Sequence, residues 1–194
     1  MKLARVVAVA AAVLLAVVAT VLVAAQLVDV STAATTPPST SDSARPADPG
    51  APLRVTIPAI GVDADLVAVG LKPDGAMQTP DFGHAAWYQP GPRPGDAGPA
   101  VLVAHVDSKA NGPDVFYRLR DLAPGDEVTV HYRDTTKTFA VTGKEQTAKT
   151  ALPADRIWNA TTAPVLRLIT CGGAFDRTAR SYLDNIIVYA DRLV

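Results

Sequence analysis

Residues 53–194 of this 194-residue chain predict an all-β domain, a closed barrel or a sandwich, on three observations. Short apolar or alternating runs recur along the segment, rich in the valine, isoleucine, threonine and tyrosine that strands prefer. Proline, glycine and aspartate bound these runs, and 16 prolines with 13 glycines supply many places for a strand to turn. Helical periodicity is weak and short.

The runs are, in order, "LRVTIP" (53–58), "ADLVAVGL" (64–71), "AWYQ" (86–89), "PAVLVAHV" (99–106), "EVTVHYR" (127–133), "KTFAVTGKEQTA" (137–148), "VLRLITC" (165–171) and "NIIVYADRL" (185–193). "HYRDTTKTF" reads as a hairpin with Asp134 to Thr136 near its turn. Two segments carry helical signals: "DVFYRLRDL" (114–122), which spaces Val115, Leu119 and Leu122 on one face, and "PADRIW" (153–158), long enough for one turn. Eight or so strands in about 140 residues fit one domain, and pattern alone leaves barrel and sandwich both open.

Upstream, Lys2 and Arg5 precede an uncharged stretch at 6–28, whose 23 residues reach roughly 35 Å as a helix, enough to cross a hydrocarbon core. The basic residues before it and Asp29 after it predict a single-pass anchor with a cytoplasmic N-terminus (1–28) and an extracellular C-terminus. The competing reading is a cleaved signal peptide, with small residues such as "VAA" or "STAA" near a cut site. Residues 29–52 are rich in serine, threonine, alanine and proline without apolar periodicity, which marks a linker. Residues 53–194 then form the folded domain.

A composition of 48% hydrophobic and 19% charged residues with a net charge of -1 gives no basic face for nucleic acid. The only cysteine, Cys171, cannot form an internal disulfide, and free cysteine is often simply a core residue. Gly172 and Gly173 follow it, however, and suggest that its strand ends there in an open glycine loop. A nucleophilic cysteine needs help near neutral pH, because the thiolate is the reactive form and the ordinary pKa is about 8.5. Imidazole is the usual partner. His131 alternates within a strand and reads as solvent-facing; His84 sits in a loop before aromatics. His105 closes the apolar run "AVLVA" beside Asp107 and Ser108, and it is the preferred partner.

With both segments in view, the chain resembles the sortases, membrane-anchored cysteine transpeptidases of Gram-positive bacteria. "LITC" (168–171), with Thr170 before the cysteine, resembles their cysteine segment, and "AHVDS" (104–108) their histidine segment. "LRVTIPAIGVDADLVAVGL" (53–71), the stretch from Gly75 to Ser108 and "DVFYRLRDLAPGDEVTV" (114–130) are similar too. "TCGGAFD" (170–176) and "SYLDNIIVYA" (181–190) resemble the actinobacterial branch called class F. The resemblance implies an eight-stranded sortase-type β-barrel with one or two short helices. It implies that Cys171 attacks the Thr–Gly bond of an LPXTG-type C-terminal sorting signal, that a thioester forms, and that an amine of a lipid II-type peptidoglycan precursor resolves it. His105 would protonate the leaving amine, and an arginine would bind substrate carbonyls and the oxyanion. No cofactor is implied, and no acidic ladder suggests the calcium site that some sortases carry.

The arginine is where the chain departs from the resemblance. Sortases place it at the start of the strand after the cysteine, where Leu183, Asp184 and Asn185 stand here. Arg180 is the preferred substitute and Arg177 the alternative. Asp107 and Thr170 stand as supporting residues, with Asp107 and Ser108 either orienting the imidazole or making a turn. Two further readings are another cell-wall cysteine transpeptidase or peptidase, and a degenerate sortase-like binding module. L,D-transpeptidases show Ser-x-Gly-Cys, unlike "LITC", and papain-like endopeptidases place the cysteine before the histidine.

Overall fold

The structure is a computed structural model that describes residues 50–193. The anchor expected at 6–28 and nearly all of the linker expected at 29–52 lie outside the described residues; among those described, no helix is long and apolar enough to cross a membrane.

The sheet closes. Ten strands occur in chain order: β1 (Arg54–Ile57), β2 (Val62–Val69), β3 (Ala85–Tyr88), β4 (Gly98–Val103), β5 (Asp107–Ser108), β6 (Gly112–Pro113), β7 (Glu127–His131), β8 (Thr136–Ala148), β9 (Pro164–Asp176) and β10 (Ser181–Arg192). Eight of them form a barrel in the order β1-β2-β3-β4-β9-β10-β8-β7, and β5 and β6 make a separate two-stranded ribbon. The eight runs read from the sequence are the eight barrel strands. Closure removes the exposed edges of an open sheet, and it decides between barrel and sandwich. Two barrel pairings are parallel, β2 with β3 and β4 with β9; the second of these builds the site.

Alternation explains the interior. On β2 the buried residues Val62, Ala64 and Leu66 alternate with exposed neighbours, as expected for a strand with one wet face. Leu102, Phe139, Leu166, Leu168 and Val188 point into the barrel beside Phe116, Leu119 and Leu122, all of them fully buried. β4 is buried along its whole length. Its outward-facing Val101 and Val103 join Ile187 and Ile169 in a second apolar layer, covered by Ile157 of the single-turn helix α1 (Ala154–Ile157). The connection from β8 to β9 is thus seated on the outside of the barrel next to β9.

Three local expectations change. The segment 114–122 is helical only at Leu119–Asp121, as a 3-10 turn, because Asp114 N–H donates to Val106 O (2.9 Å) and Phe116 N–H to His105 O (3.1 Å). Those bonds tie its start to the histidine segment in place of an α-helical ladder. The β7–β8 turn occupies 132–135, so Thr136 already belongs to β8. His131 is half-buried, with Nε2 2.9 Å from the hydroxyl of Thr56, and is not simply solvated.

Candidate active site

Strand register brings the thiol and the imidazole together. β4 runs parallel to β9 with Val103 beside Ile169, and Ala104 N–H extends the ladder to Ile169 O at 3.4 Å. The buried hydroxyl of Thr170 donates to Ala104 O at 2.8 Å and pins the two chains one residue before the pair. Continued by two residues, this register sets His105 level with Cys171. Leu166, Leu168 and Thr170 take the inward positions of β9, so Cys171 faces outward, half-buried and with a free thiol. Across the ladder it pairs with Asn185 of β10.

The glycines after the cysteine do not open a loop, which corrects the sequence reading. β9 continues to Asp176. Gly172 is buried in the strand, and a Cβ there would lie 2.7 Å from Cγ1 of Ile186. Gly173 has φ +76°, and a Cβ would collide with the side chain of Asp184. Register shifts at this point: Gly172 faces Asp184 and Phe175 faces Tyr182, so Gly173 and Ala174 together oppose Leu183. That is a β-bulge, built on a glycine with positive φ, which bends the outer part of the hairpin just beyond the thiol. Leu183, one of the three residues that stand where the resemblance calls for an arginine, lies opposite the bulge and is half exposed.

His105 is held from the β2–β3 connection. Its Nε2 lies 2.9 Å from Pro80 O, and its ring stacks on Phe82 at 4.4 Å with 9° between planes. A carbonyl only accepts, so Nε2 carries a proton and Nδ1 is left for chemistry. No hydrogen bond joins His105 to Cys171 or to Asp107. The Asp107 carboxylate instead accepts from Tyr182 O–H at 2.7 Å, and Ser108 Oγ accepts from Asn111 N–H at 3.0 Å. Both residues therefore build the β5–β6 turn and its tie to the hairpin. The hydrogen bond to Asp107 holds the Tyr182 phenol above its ordinary pKa, with burial acting in the same direction.

Arg177 and Arg180 occupy the tip of the β9–β10 hairpin, where the Asp176 carboxylate accepts from the N–H groups of Thr178 (2.7 Å) and Ala179 (3.0 Å). Arg180 has φ +51°, the only non-glycine residue with positive φ among the described residues. Both arginines line a cleft of about 670 Å³ together with His105, Lys109, Cys171 and Tyr182. A second groove of about 280 Å³ meets the first at Cys171 and His105 and is walled by Met77, Val103, Leu152, Ile157, Trp158 and Asn185. Cys171, His105, Arg177, Arg180 and Asp107 are thus brought to one place, the buried Thr170 lines the second groove beside them, and His84 and His131 line neither cavity. Sequence reasoning missed Pro80, Phe82, Tyr182 and Trp158. Phe82 had a signal, as an exposed aromatic in "TPDFGH", but nothing local to tie it to His105. Among the described residues, no cluster of histidine, cysteine and carboxylate side chains could hold a metal ion.

A closed eight-stranded barrel whose parallel β4 and β9 deliver an imidazole and a lone thiol to one cleft is an arrangement suited to cysteine nucleophile chemistry. The sortase domain family matches residues 55–193, and the chain belongs to the sortase family. It is thereby an enzyme of the cysteine transpeptidase type, whose substrates are in general sorting-signal proteins and cell-wall amine acceptors. Similar solved structures are sortases of several classes. Sortase A from Corynebacterium diphtheriae has a TM-score of 0.58 at 16% identity, covering 74% of this chain and 61% of that one. A pilus-related sortase C of Group B Streptococcus has a TM-score of 0.57 at 16% identity (74% and 68% covered). A sortase D5 transpeptidase from Clostridium perfringens has a TM-score of 0.55 at 16% identity (74% and 79% covered). At that identity the likeness is one of fold. A comparison with curated proteins finds no match.

Proposed function

We propose that this protein is a class F sortase, held at the cell membrane by residues 1–28 with its N-terminus in the cytoplasm, spaced by residues 29–52, and catalytic outside the cell through residues 53–194. Its substrates are exported proteins ending in an LPXTG-type sorting signal, and its acceptor is an amine of a lipid II-type peptidoglycan precursor. The observation that carries the reading is the β4–β9 register, which sets His105 level with Cys171 where two cavities meet.

In this reading the apolar groove takes the sorting signal. It has no carboxylate, lysine or arginine in its lining, which suits a Leu-Pro segment, and Trp158 and Leu152 offer exposed apolar surface. The Cys171 thiolate attacks the threonine carbonyl carbon. His105, fixed through Nε2 and Phe82, delivers a proton from Nδ1 to the departing glycine amine as the C–N bond breaks, leaving a thioester on Sγ. Arg180 hydrogen-bonds substrate carbonyls and the oxyanion; Arg177 is the alternative, since it lines the same cleft. Thr170 keeps the register and Asp107 fixes the hairpin; both act through their neighbours.

A fluorogenic LPXTG-type peptide tests the reading. Cleavage is expected from the wild type, and Cys171→Ala and His105→Ala are each expected to abolish it to a similar degree, because residues acting as one unit are not additive. Full cleavage by Cys171→Ala would return the thiol to a packing role. Membrane placement is tested in intact cells, where added protease should reach the domain while the protein stays with the membrane fraction. Recovery of a free form starting near residues 26 to 36 would overturn the anchor.

A further inference from the structure

The two cavities that meet at Cys171 differ in charge, and the difference bears on the second half of the reaction. The smaller groove is lined by no acidic or basic residue except His105. The larger cleft is lined by Lys109, Arg177 and Arg180, against a single carboxylate, Asp107. That carboxylate already accepts the Tyr182 hydroxyl. Lys109, Arg177 and Arg180 are all exposed, and none forms a hydrogen bond or ion pair among the described residues. Lys109 comes from the β5–β6 turn and the arginines from the β9–β10 tip, so cations from two separate segments face one space beside the thiol.

Unpaired cations from two segments lining one cleft raise the local concentration of anions and favour a bound anion over a neutral analogue. Resting on the transpeptidase reading above, we propose that the larger cleft is the acceptor side and selects an amine that carries an anionic group, carboxylate or phosphate, on the same molecule. Lys109 and Arg177 contact the anion, and the amine nitrogen approaches the thioester. The nitrogen bonds to the thioester carbonyl carbon as the C–S bond breaks. The amine loses one proton, which passes by way of His105 to the departing sulfur, so an amide and the free Cys171 thiol result. Arginine matches either anion through its planar fork, and lysine adds a point charge.

The test is competition for a preformed thioester. Full-length protein in detergent is first loaded with a sorting-signal peptide and the loading read by intact mass. It is then offered matched single-amine pairs: glycylglycine with glycylglycinamide, and O-phosphoethanolamine with ethanolamine. The product ratio within each pair is independent of how fast the thioester formed. At low salt the anionic member of at least one pair is expected to win by about fivefold, the upper end for solvent-exposed charge pairs, and the preference should shrink as salt rises. The pair with the larger ratio names the source, a carboxylate on the acceptor peptide or a phosphate on its carrier. Lys109→Gln with Arg177→Gln is expected to bring the ratio close to one. Ratios of one or below in both pairs for the wild type, or a preference unchanged in the double variant, would overturn the proposal. If no thioester forms, it is the transpeptidase reading that fails. The anion site is then decided by titration calorimetry of the same protein with inorganic pyrophosphate. Binding lost in the double variant supports the site, and no binding to the wild type overturns it.

Discussion

The two halves of the β9–β10 ribbon on either side of Cys171 behave as different materials. Below the thiol, Leu166, Leu168 and Thr170 of β9 and Ile186 and Val188 of β10 are buried inside the barrel. Above it, Phe175, Arg177 and Arg180 are exposed beyond a bulge, and Leu183 is exposed opposite it. Cys171 lies at the boundary, on a strand whose position the core dictates and next to a tip whose shape it does not. The nucleophile is placed by core packing, while Arg177 and Arg180 of the larger cleft are carried by a short exposed turn. Substitutions below the boundary should change stability first, and those above it turnover first.

The largest break in that comparison comes from the core. Leu168→Ala removes a fully buried side chain from the barrel interior and is expected to cost about 3 kcal/mol, read as a shift in the urea midpoint. A loss under about 1 kcal/mol would mean that the lower half is not the rigid part. At the boundary, Gly173→Ala is expected to cost roughly 1–3 kcal/mol, since the bulge needs φ +76° and leaves no room beside Asp184. A neutral result would show that the bulge is unstrained and not required. Thr170→Val, nearly equal in volume, leaves the Ala104 carbonyl without its hydroxyl donor, at a cost of about 1 kcal/mol. Turnover should fall as well, because the bond sets the register of His105 against Cys171. Stability loss with full turnover would separate Thr170 from the site. The smallest stability effect belongs to the tip. Arg180→Gly relieves a left-handed backbone but frees the unfolded chain, and the two nearly cancel, to within about 0.5 kcal/mol. Peptide turnover should nevertheless drop, and by more than in Arg177→Gly. An unchanged rate would remove Arg180 from catalysis.

The eight barrel strands were legible because each run carries its own burial pattern, and the neighbouring positions of Cys171 and His105 were legible because each residue closes an apolar run of the sequence. What was not legible depends on partners distant in the chain. A glycine pair after a strand reads equally well as a loop or as a bulge, and only Ile186 and Asp184, across the hairpin, decide it. The spacing of Val115, Leu119 and Leu122 suits an α-helix. The hydrogen bonds that limit it to a 3-10 turn come from Val106 and His105, which no local pattern reveals. Asp107 beside a candidate histidine suited either an orienting carboxylate or a turn; its partner is Tyr182, and the imidazole is held by Pro80, 25 residues upstream of it. The arginine was the least legible, because a turn of four residues at 177–180 carries no packing signal to rank one side chain over another.

The most direct test of the account is intact mass of the full-length protein after incubation with a sorting-signal peptide and no amine acceptor. One added mass equal to the peptide up to its threonine is expected, localised to Cys171, released by hydroxylamine and absent from Cys171→Ala. Turnover of the peptide with no adduct in the wild type, or the same adduct in Cys171→Ala, would contradict it.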